Sequence, residues 1–582
     1  MFKYLKIYNH ICRSFSFFFL KIYFLKKIII IVFFFFAGTH KLFAQEFVFG
    51  NPILDEFQRR IEISNSVLNT GWMLRSNSGS PDYFFYPIDS GHQDKKRIEL
   101  KILPIYLNTR IDGNRPYVGG EYGMIPSRGA QGLLSTGVNA RFSFLKIQLQ
   151  PEFITSQNLP FPGFPDTFSS GTIASRFLYW NVGDSPERFG NGNYSKAFWG
   201  QSSVSLQLGS FELGGGTKNF WWGPGQWNSL IFSNNAPGFP FLSLNSTKPA
   251  KSFLGNFETQ LLIGRLESSN YAASQNNSLN KQYFTDLRSD WRYLNAFMVS
   301  YSPKWIPTLT FGYSRTFQFY NSDRPKDLNG WFPIFEPMEK EKLFSNGNSV
   351  IYDGERQSQQ IAIFGRYKLP KAKAEIYFQF GRRDHALNWR EFFLNPEHAR
   401  AYQLGFLKLS DIPIISKVLQ IRGEITHQQE SINRNLRYGL FGGTSWHTHG
   451  LVRGFTNFGQ PLGVGIGTGS NVQTLEISIV TGWDKLGLLF ERLENNQDFY
   501  NRTFNQSSVK KAWIDWSTAL LWNTSYKDLF ISARLQGTYA RNYQWGLSET
   551  STTEFPVSQN LFSVHSQVNL IYFWGRDLKK EN

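Results

Sequence analysis

The densest group of side chains able to recognise a sugar lies between residues 219 and 239, where NFWWGPGQWNSL is followed by SNNAPGF. Tryptophan faces stack on the apolar faces of sugar rings, and asparagine amides both donate to and accept from hydroxyls. Trp221, Trp222 and Trp227 are therefore candidate stacking residues, with Asn228, Asn234 and Asn235 as candidate hydrogen-bonding partners. Gly223, Pro224 and Gly225 suit a compact loop that would present them. Tryptophans also form aromatic girdles and pack large loops, so composition leaves both roles open.

Other residues extend or narrow this chemistry. Arg128 and Gln131 place a bidentate donor fork and an amide beside a turn, a pairing suited either to an anionic polymer or to stabilising the loop. His447 and His449 flank Thr448 and would share one face of an extended segment. No third ligand completes a zinc set, so these histidines and Arg453 are kept as candidate glycan contacts or members of a polar network. In Asp184-Ser185-Pro186-Glu187-Arg188 the charged groups suit structural pairing or sugar hydroxyls. Asp384, Glu391, Glu397 and Glu424 are the carboxylates that a glycosidase would need, yet sequence fixes no separation between any two of them. No G-x-S-x-G elbow is present, and GVGIGTG at Gly463 lacks the lysine of a phosphate-binding loop. The expectation is a noncatalytic protein with no cofactor and no metal.

Strands must position these groups. From Phe562 to Tyr572 the sequence puts Phe562, Val564, Val568, Leu570 and Tyr572 on one face and Ser563, His565, Gln567 and Asn569 on the other. That period of two, with an apolar face for lipid, is the pattern of a transmembrane β-strand. It recurs at 100–106, 203–211, 257–266, 360–367, 374–380, 419–426, 473–480 and 530–539. Pro303 to Pro307 marks a turn between two aromatic-rich strands, because proline lacks the ladder donor. The chain reads as all-β, a transmembrane outer-membrane β-barrel, with an even strand number near roughly 16 to 20 if each crossing takes about 9 to 11 residues. A large soluble β-protein is the competing fold. Near Pro52 to Ile61, Leu54, Phe57 and Ile61 approximate one helical face, which predicts a short helix serving as a periplasmic cap or plug.

Lys26 and Lys27 precede the apolar run Ile28 to Ala37 and then Leu42-Phe43-Ala44, so residues 1–44 are expected to be a secretory signal; a signal anchor is the alternative. Residues 45–98 would then form the helical element and lead-in, and residues 99–582 the barrel with long extracellular loops. Removing 1–44 lowers the formal charge from +17 to +10 and takes away Cys12, the single cysteine, so neither disulfides nor cysteine chemistry is expected. The remaining positive excess favours lipid phosphates or an acidic polysaccharide. No nucleic-acid-binding signature is present.

Several phrases together resemble the Wzi-like capsule assembly family of outer-membrane proteins. They are MIPSRGAQ at Met124, DSPERFG at Asp184, WWGPGQWNSLIFSNNAPGFP at Trp221, NPEHARAY at Asn395 and GVGIGTGSNVQ at Gly463. The resemblance implies an eighteen-stranded β-barrel with a small periplasmic helical element. It also implies a lectin-like role in attaching or organising capsular polysaccharide. The chain's length and its 17% aromatic content are similar to the longer forms in Bacteroidetes. The expected partners are capsular or other surface polysaccharide, outer-membrane lipids and lipopolysaccharide, and the polysaccharide-export machinery, but no nucleic acid. A pore for small nutrients or hydrophobic ligands is the alternative function, and an outer-membrane glycosidase a third.

Overall fold

The computed structural model describes residues 51–64, 73–75, 98–117, 119–336, 357–383, 393–394, 397, 399–431, 445–504 and 509–574. The expected signal segment, Asp384, Glu391 and part of the NPEHARAY phrase lie outside them.

The first crossings of the sheet are split in two: β1 (Ile98–Ile102) and β2 (Ile105–Asp112), β3 (Gly129–Ser135) and β4 (Val138–Phe142), β5 (Leu145–Leu149) and β6 (Glu152–Ser156), β7 (Tyr194–Phe198) and β8 (Ser203–Leu208). Next come β9 (Phe211–Gly216), β10 (Phe241–Ser246), β11 (Ala250–Lys251), β12 (Gly255–Leu266), β13 (Arg292–Pro303), β14 (Leu309–Tyr320), β15 (Ser358–Leu369), β16 (Ala374–Arg383), β17 (Arg400–Ile412) and β18 (Lys417–His427). A two-stranded ribbon of β19 (Thr456–Asn457) and β20 (Gln460–Pro461) precedes β21 (Asn471–Thr481), β22 (Asp484–Glu494), β23 (Ile514–Tyr526), β24 (Leu529–Arg541) and β25 (Leu561–Tyr572).

Hydrogen bonding runs antiparallel from β7 through β6, β3, β2, β25, β24, β23, β22 and β21, then from β18 back to β12. It continues through β10, β9, β8, β5 and β4 to β1, with β11 a side branch on β12. The ladder therefore has two free ends, β7 and β1. This corrects the expected closed barrel of eighteen strands: the sheet has 23 strands, and its ladder does not close as a ring. The reason is local. Pro104 and Pro151 remove ladder donors at two of the breaks. At the third, a Cβ on Gly137 would sit 1.8 Å from the Leu149 carbonyl, and at the fourth Gly200 turns the chain with φ +55°.

Side chains alternate as the period of two predicts. In β23 Trp516, Leu520 and Trp522 point outward, while Asp515, Ser517, Ala519 and Asn523 are buried on the inner face. Phe562, Val564 and Tyr572 are outward in β25, with Ser563, His565 and Asn569 inward. An apolar exterior over a polar interior reverses the soluble pattern and suits strands that face hydrocarbon. No helix among the described residues is long and apolar enough to cross a membrane, which bears on helices alone.

One end of the sheet carries tight turns, several with a left-handed residue such as Lys373, Ser416 or Lys527. The other end carries long loops, with helices α2 (Ser170–Asn181), α3 (Asn277–Tyr283), α4 (Leu328–Trp331) and α5 (Gln497–Phe504). Helix α1 (Pro52–Ser64) enters at the tight-turn end, started by Asn51, whose side chain accepts from the Ile53 amide at 3.0 Å. Phe57 stacks on Trp483 at 3.8 Å. The acids of α1 bind bases on the inner face of the sheet: Glu62 takes Arg366 and Lys368, each at 2.9 Å, and Glu56 takes Lys485 at 2.7 Å. Arg59 pairs with Glu375.

Candidate functional site

The WWGPGQWNSL segment folds into the space that the sheet surrounds. Leu74 forms a bridge with Trp222, the Gly223 amide donates to the Met73 carbonyl at 2.9 Å, and the Trp222 amide donates to the Phe232 carbonyl. Trp222 is 0% exposed and its indole donates to Gln260 Oε1 of β12 at 2.8 Å. Trp221 is buried with the Arg75 guanidinium 4.6 Å above its ring. Trp227 lies under Arg422, also at 4.6 Å.

Glu424 of β18 fixes this loop. Its carboxylate accepts the amides of Gln226 (2.5 Å), Trp227 (3.3 Å) and Asn228 (2.9 Å), and the Tyr377 hydroxyl at 2.7 Å. The remaining sequence candidates are also committed within the protein. Asn234 accepts the Tyr122 amide through its carbonyl. Asn235 donates to the Pro461 carbonyl at 2.7 Å and accepts the Gly120 amide at 2.8 Å. Gln131 both accepts from and donates to the Ile125 backbone, and Arg128 donates to the Gly113 and Pro160 carbonyls.

His449 is buried and accepts the Leu451 and Val452 amides at Nδ1, while Arg453 donates to the carbonyls of Thr285 and Asp286. His447 is buried too; desolvation and then the nearby Arg383 hold its ring down at about 3, so it is neutral at ordinary pH. Among the described residues no three His, Cys, Asp or Glu side chains gather as a metal site. In the DSPERFG phrase, Asp184 accepts the Ser269 amide, Glu187 the amides of Phe164 and Gln275, and Arg188 donates to Asn158. Burial raises the Asp184 carboxyl above its usual range, against Arg292.

A concavity at the long-loop end holds about 250 Å³, near the low end of ligand clefts and room for roughly one sugar unit. Of the residues weighed in the sequence, Asn235 and, from the DSPERFG phrase, Ser185, Pro186 and Glu187 line it. Trp180, Trp513, Tyr543 and Trp545 supply its aromatic wall; Trp513 meets Tyr543 at 4.9 Å and Trp545 at 5.4 Å, both edge to face. Arg115 is tied to Asp515 at 2.6 Å. Its floor carries Gln460, buried, with both amide atoms lacking a partner among the described residues, as do the Trp545 indole N–H and the Gln544 carbonyl oxygen. Unmet donors and acceptors beside aromatic rings are what a polyhydroxylated ligand would satisfy.

These residues come from several segments far apart in sequence, so no single stretch displays the pocket. Their available signal was aromatic clustering inside polar loop sequence, SRFLYW at 175–180 and YQW at Tyr543–Trp545.

The family model for the capsule assembly protein Wzi matches residues 115–541. No curated protein sequence matches the chain. Among solved structures, Wzi from Escherichia coli is described as a carbohydrate-binding β-barrel of the outer membrane involved in group 1 capsule assembly. It shares 15% identity, covering 81% of this chain and 84% of its own, with a TM-score of 0.52. OccAB1 of Acinetobacter baumannii shares 8% identity over 83% and 99% of the two chains with a TM-score of 0.38. OccK7 (OpdD) of Pseudomonas aeruginosa shares 10% over 81% and 98% with a TM-score of 0.36.

Proposed function

Because this chain belongs to the Wzi capsule assembly family, we propose that it is a noncatalytic outer-membrane protein that attaches and organises exported capsular or related polysaccharide at the cell surface. The observation that carries this reading is the loop-end pocket, with its aromatic wall and unpaired amide groups. Trp180, Trp513, Gln460 and Asn235 are the glycan contacts it supports. Repeated sugar units would turn weak single contacts into retention through multivalency. The tryptophans of the 219–239 segment, with Asn219, Asn228 and Asn234, act behind this surface, holding the loops in place.

Residues 1–44 as secretory signal and α1 as a periplasmic element fit the same reading, since short turns face the periplasm and long loops the exterior. Lipopolysaccharide and the export machinery are the partners that position supplies. The length and aromatic content favour the longer, Bacteroidetes-type form of the family. A nutrient pore is disfavoured, because α1 and the 219–239 segment fill the space within the sheet.

The test is binding of purified folded protein to polysaccharide isolated from its own cells. Trp513→Ala and Gln460→Ala are expected to weaken saturable binding roughly tenfold, in the range of base or sugar stacking and a lost buried hydrogen bond, while the protein still inserts. Undiminished binding in both variants would remove the pocket from this function.

A further inference from the structure

The two arginines lining the pocket differ in how they are used. Arg115 is neutralised by Asp515 at 2.6 Å. Arg176 of α2 has no hydrogen bond and no ion pair among the described residues, and its Nε is buried. Its guanidinium is instead held on aromatic faces, 4.4 Å over Trp180, 5.5 Å from Phe499, 5.6 Å from Trp545 and 6.0 Å from Phe164.

Glu187, the carboxylate in the lining, does not come within ion-pair distance. Its oxygens are taken by the Phe164 amide at 2.7 Å, the Gln275 amide at 3.1 Å and the Ser274 hydroxyl at 3.5 Å. Stacking leaves the edge of a guanidinium free, and that edge is the fork that accepts a carboxylate bidentately. Burial lowers the pKa of Arg176 to about 10, with Glu187 and then Tyr179 opposing it more weakly from a distance, the direction expected of a desolvated cation without a contact partner.

Resting on the polysaccharide reading above, we propose that the pocket selects an acidic sugar: Arg176 receives the carboxylate of a uronic residue while the edge of Trp180 packs against its ring. A neutral sugar would leave the desolvated cation unpaired. Sulfate or phosphate esters share the anionic chemistry, so the probes must separate the three groups.

The probes are oligosaccharides cleaved from the surface polysaccharide of the producing cells. They are used untreated, after reduction of their carboxyl groups to alcohols, and after desulfation or dephosphorylation. Binding is followed by tryptophan fluorescence with the full-length protein in detergent. Arg176→Gln is expected to weaken binding of the untreated oligosaccharide at least tenfold, the scale of a lost charge-assisted hydrogen bond. Arg176→Lys, which keeps the charge without the fork, should lose less and serves as the folding control. Carboxyl reduction should weaken binding to the unchanged protein equally and abolish the difference between it and Arg176→Gln, whereas desulfation or dephosphorylation should change nothing.

Tight binding that ignores both carboxyl reduction and Arg176→Gln would overturn the acidic-sugar assignment while leaving polysaccharide attachment standing. Loss on desulfation or dephosphorylation alone would overturn the carboxylate, as would a polymer without acidic sugars. Absence of binding to every probe would overturn the polysaccharide reading and this one with it.

Discussion

Glu424 illustrates what single residues do in this protein. One carboxylate on β18 holds three successive amides of a loop about 196 to 198 residues away in sequence. Glu424→Ala should cost about 1 to 3 kcal/mol for each buried amide left unpaired, seen as a lower temperature for loss of the compact, heat-modifiable band in gel electrophoresis. The sequence showed Trp227 and Asn228 as chemically able groups but not that Glu424 claims the backbone around them, because that claim depends on sheet register. Asp498 and Glu430 are a second pair visible only in the fold: the Asp498 carboxylate accepts the Glu430 amide at 2.7 Å. Burial raises Asp498 to about 7 against the opposing Glu430 amide and Arg400, and raises Glu430 to about 8 with added repulsion from Asp498, against Arg383 and Arg502. In the unfolded chain both ionise near their ordinary values, so between about pH 4 and about pH 8 the unfolded state holds fewer protons and stability falls as pH rises. Asp498→Asn keeps the oxygen acceptor without the charge. It should flatten that pH profile and raise the thermal midpoint at pH 8; an unchanged profile would show that Asp498 does not titrate there.

Among the elements, α1 was legible from Leu54, Phe57 and Ile61, yet its partners were not. Its acids are neutralised from the inner wall by Arg366, Lys368, Arg422 and Lys485, which lie hundreds of residues away in sequence. Removing one member of a buried pair leaves the other uncompensated, so Glu62→Ala should lower stability by roughly 3 to 5 kcal/mol in urea unfolding of the detergent-solubilised protein. Joining it with Lys368→Met should recover part of the loss. Among the long strands β21, β22 and β23 follow the alternation read from sequence closely, whereas β13, β14 and β15 are buried on both faces over much of their length. Early strands such as β3 and β6 alternate too, but Pro104, Gly137, Pro151 and Gly200 cut the first four crossings into two short strands each. Proline positions were readable there, but the close approach that excludes a Cβ at Gly137 belongs to the neighbouring strand and has no local sequence mark.

For the whole molecule, the outward apolar face was the most readable property, because it is written in a period of two that needs no knowledge of partners. Its consequence is measurable: Leu520→Arg, on the exposed face of β23, should cost roughly 2 to 4 kcal/mol if it sits near the bilayer midplane and should reduce insertion into vesicles, while the same change at a loop position should not. The pocket was the least readable, being assembled from loops that the sheet brings together at one end. The buried ion pairs of α1 also set an order of events. Glu62 meets Arg366 across 304 residues, Arg59 meets Glu375 across 316 and Glu56 meets Lys485 across 429. The helix is made before every one of these partners and cannot settle until the last strands arrive. Until then Glu62 and Arg59 are unmatched, so an incomplete chain carries a visible flag of its own immaturity, and seating of α1 becomes the step that separates a finished molecule from one still open to proteolysis.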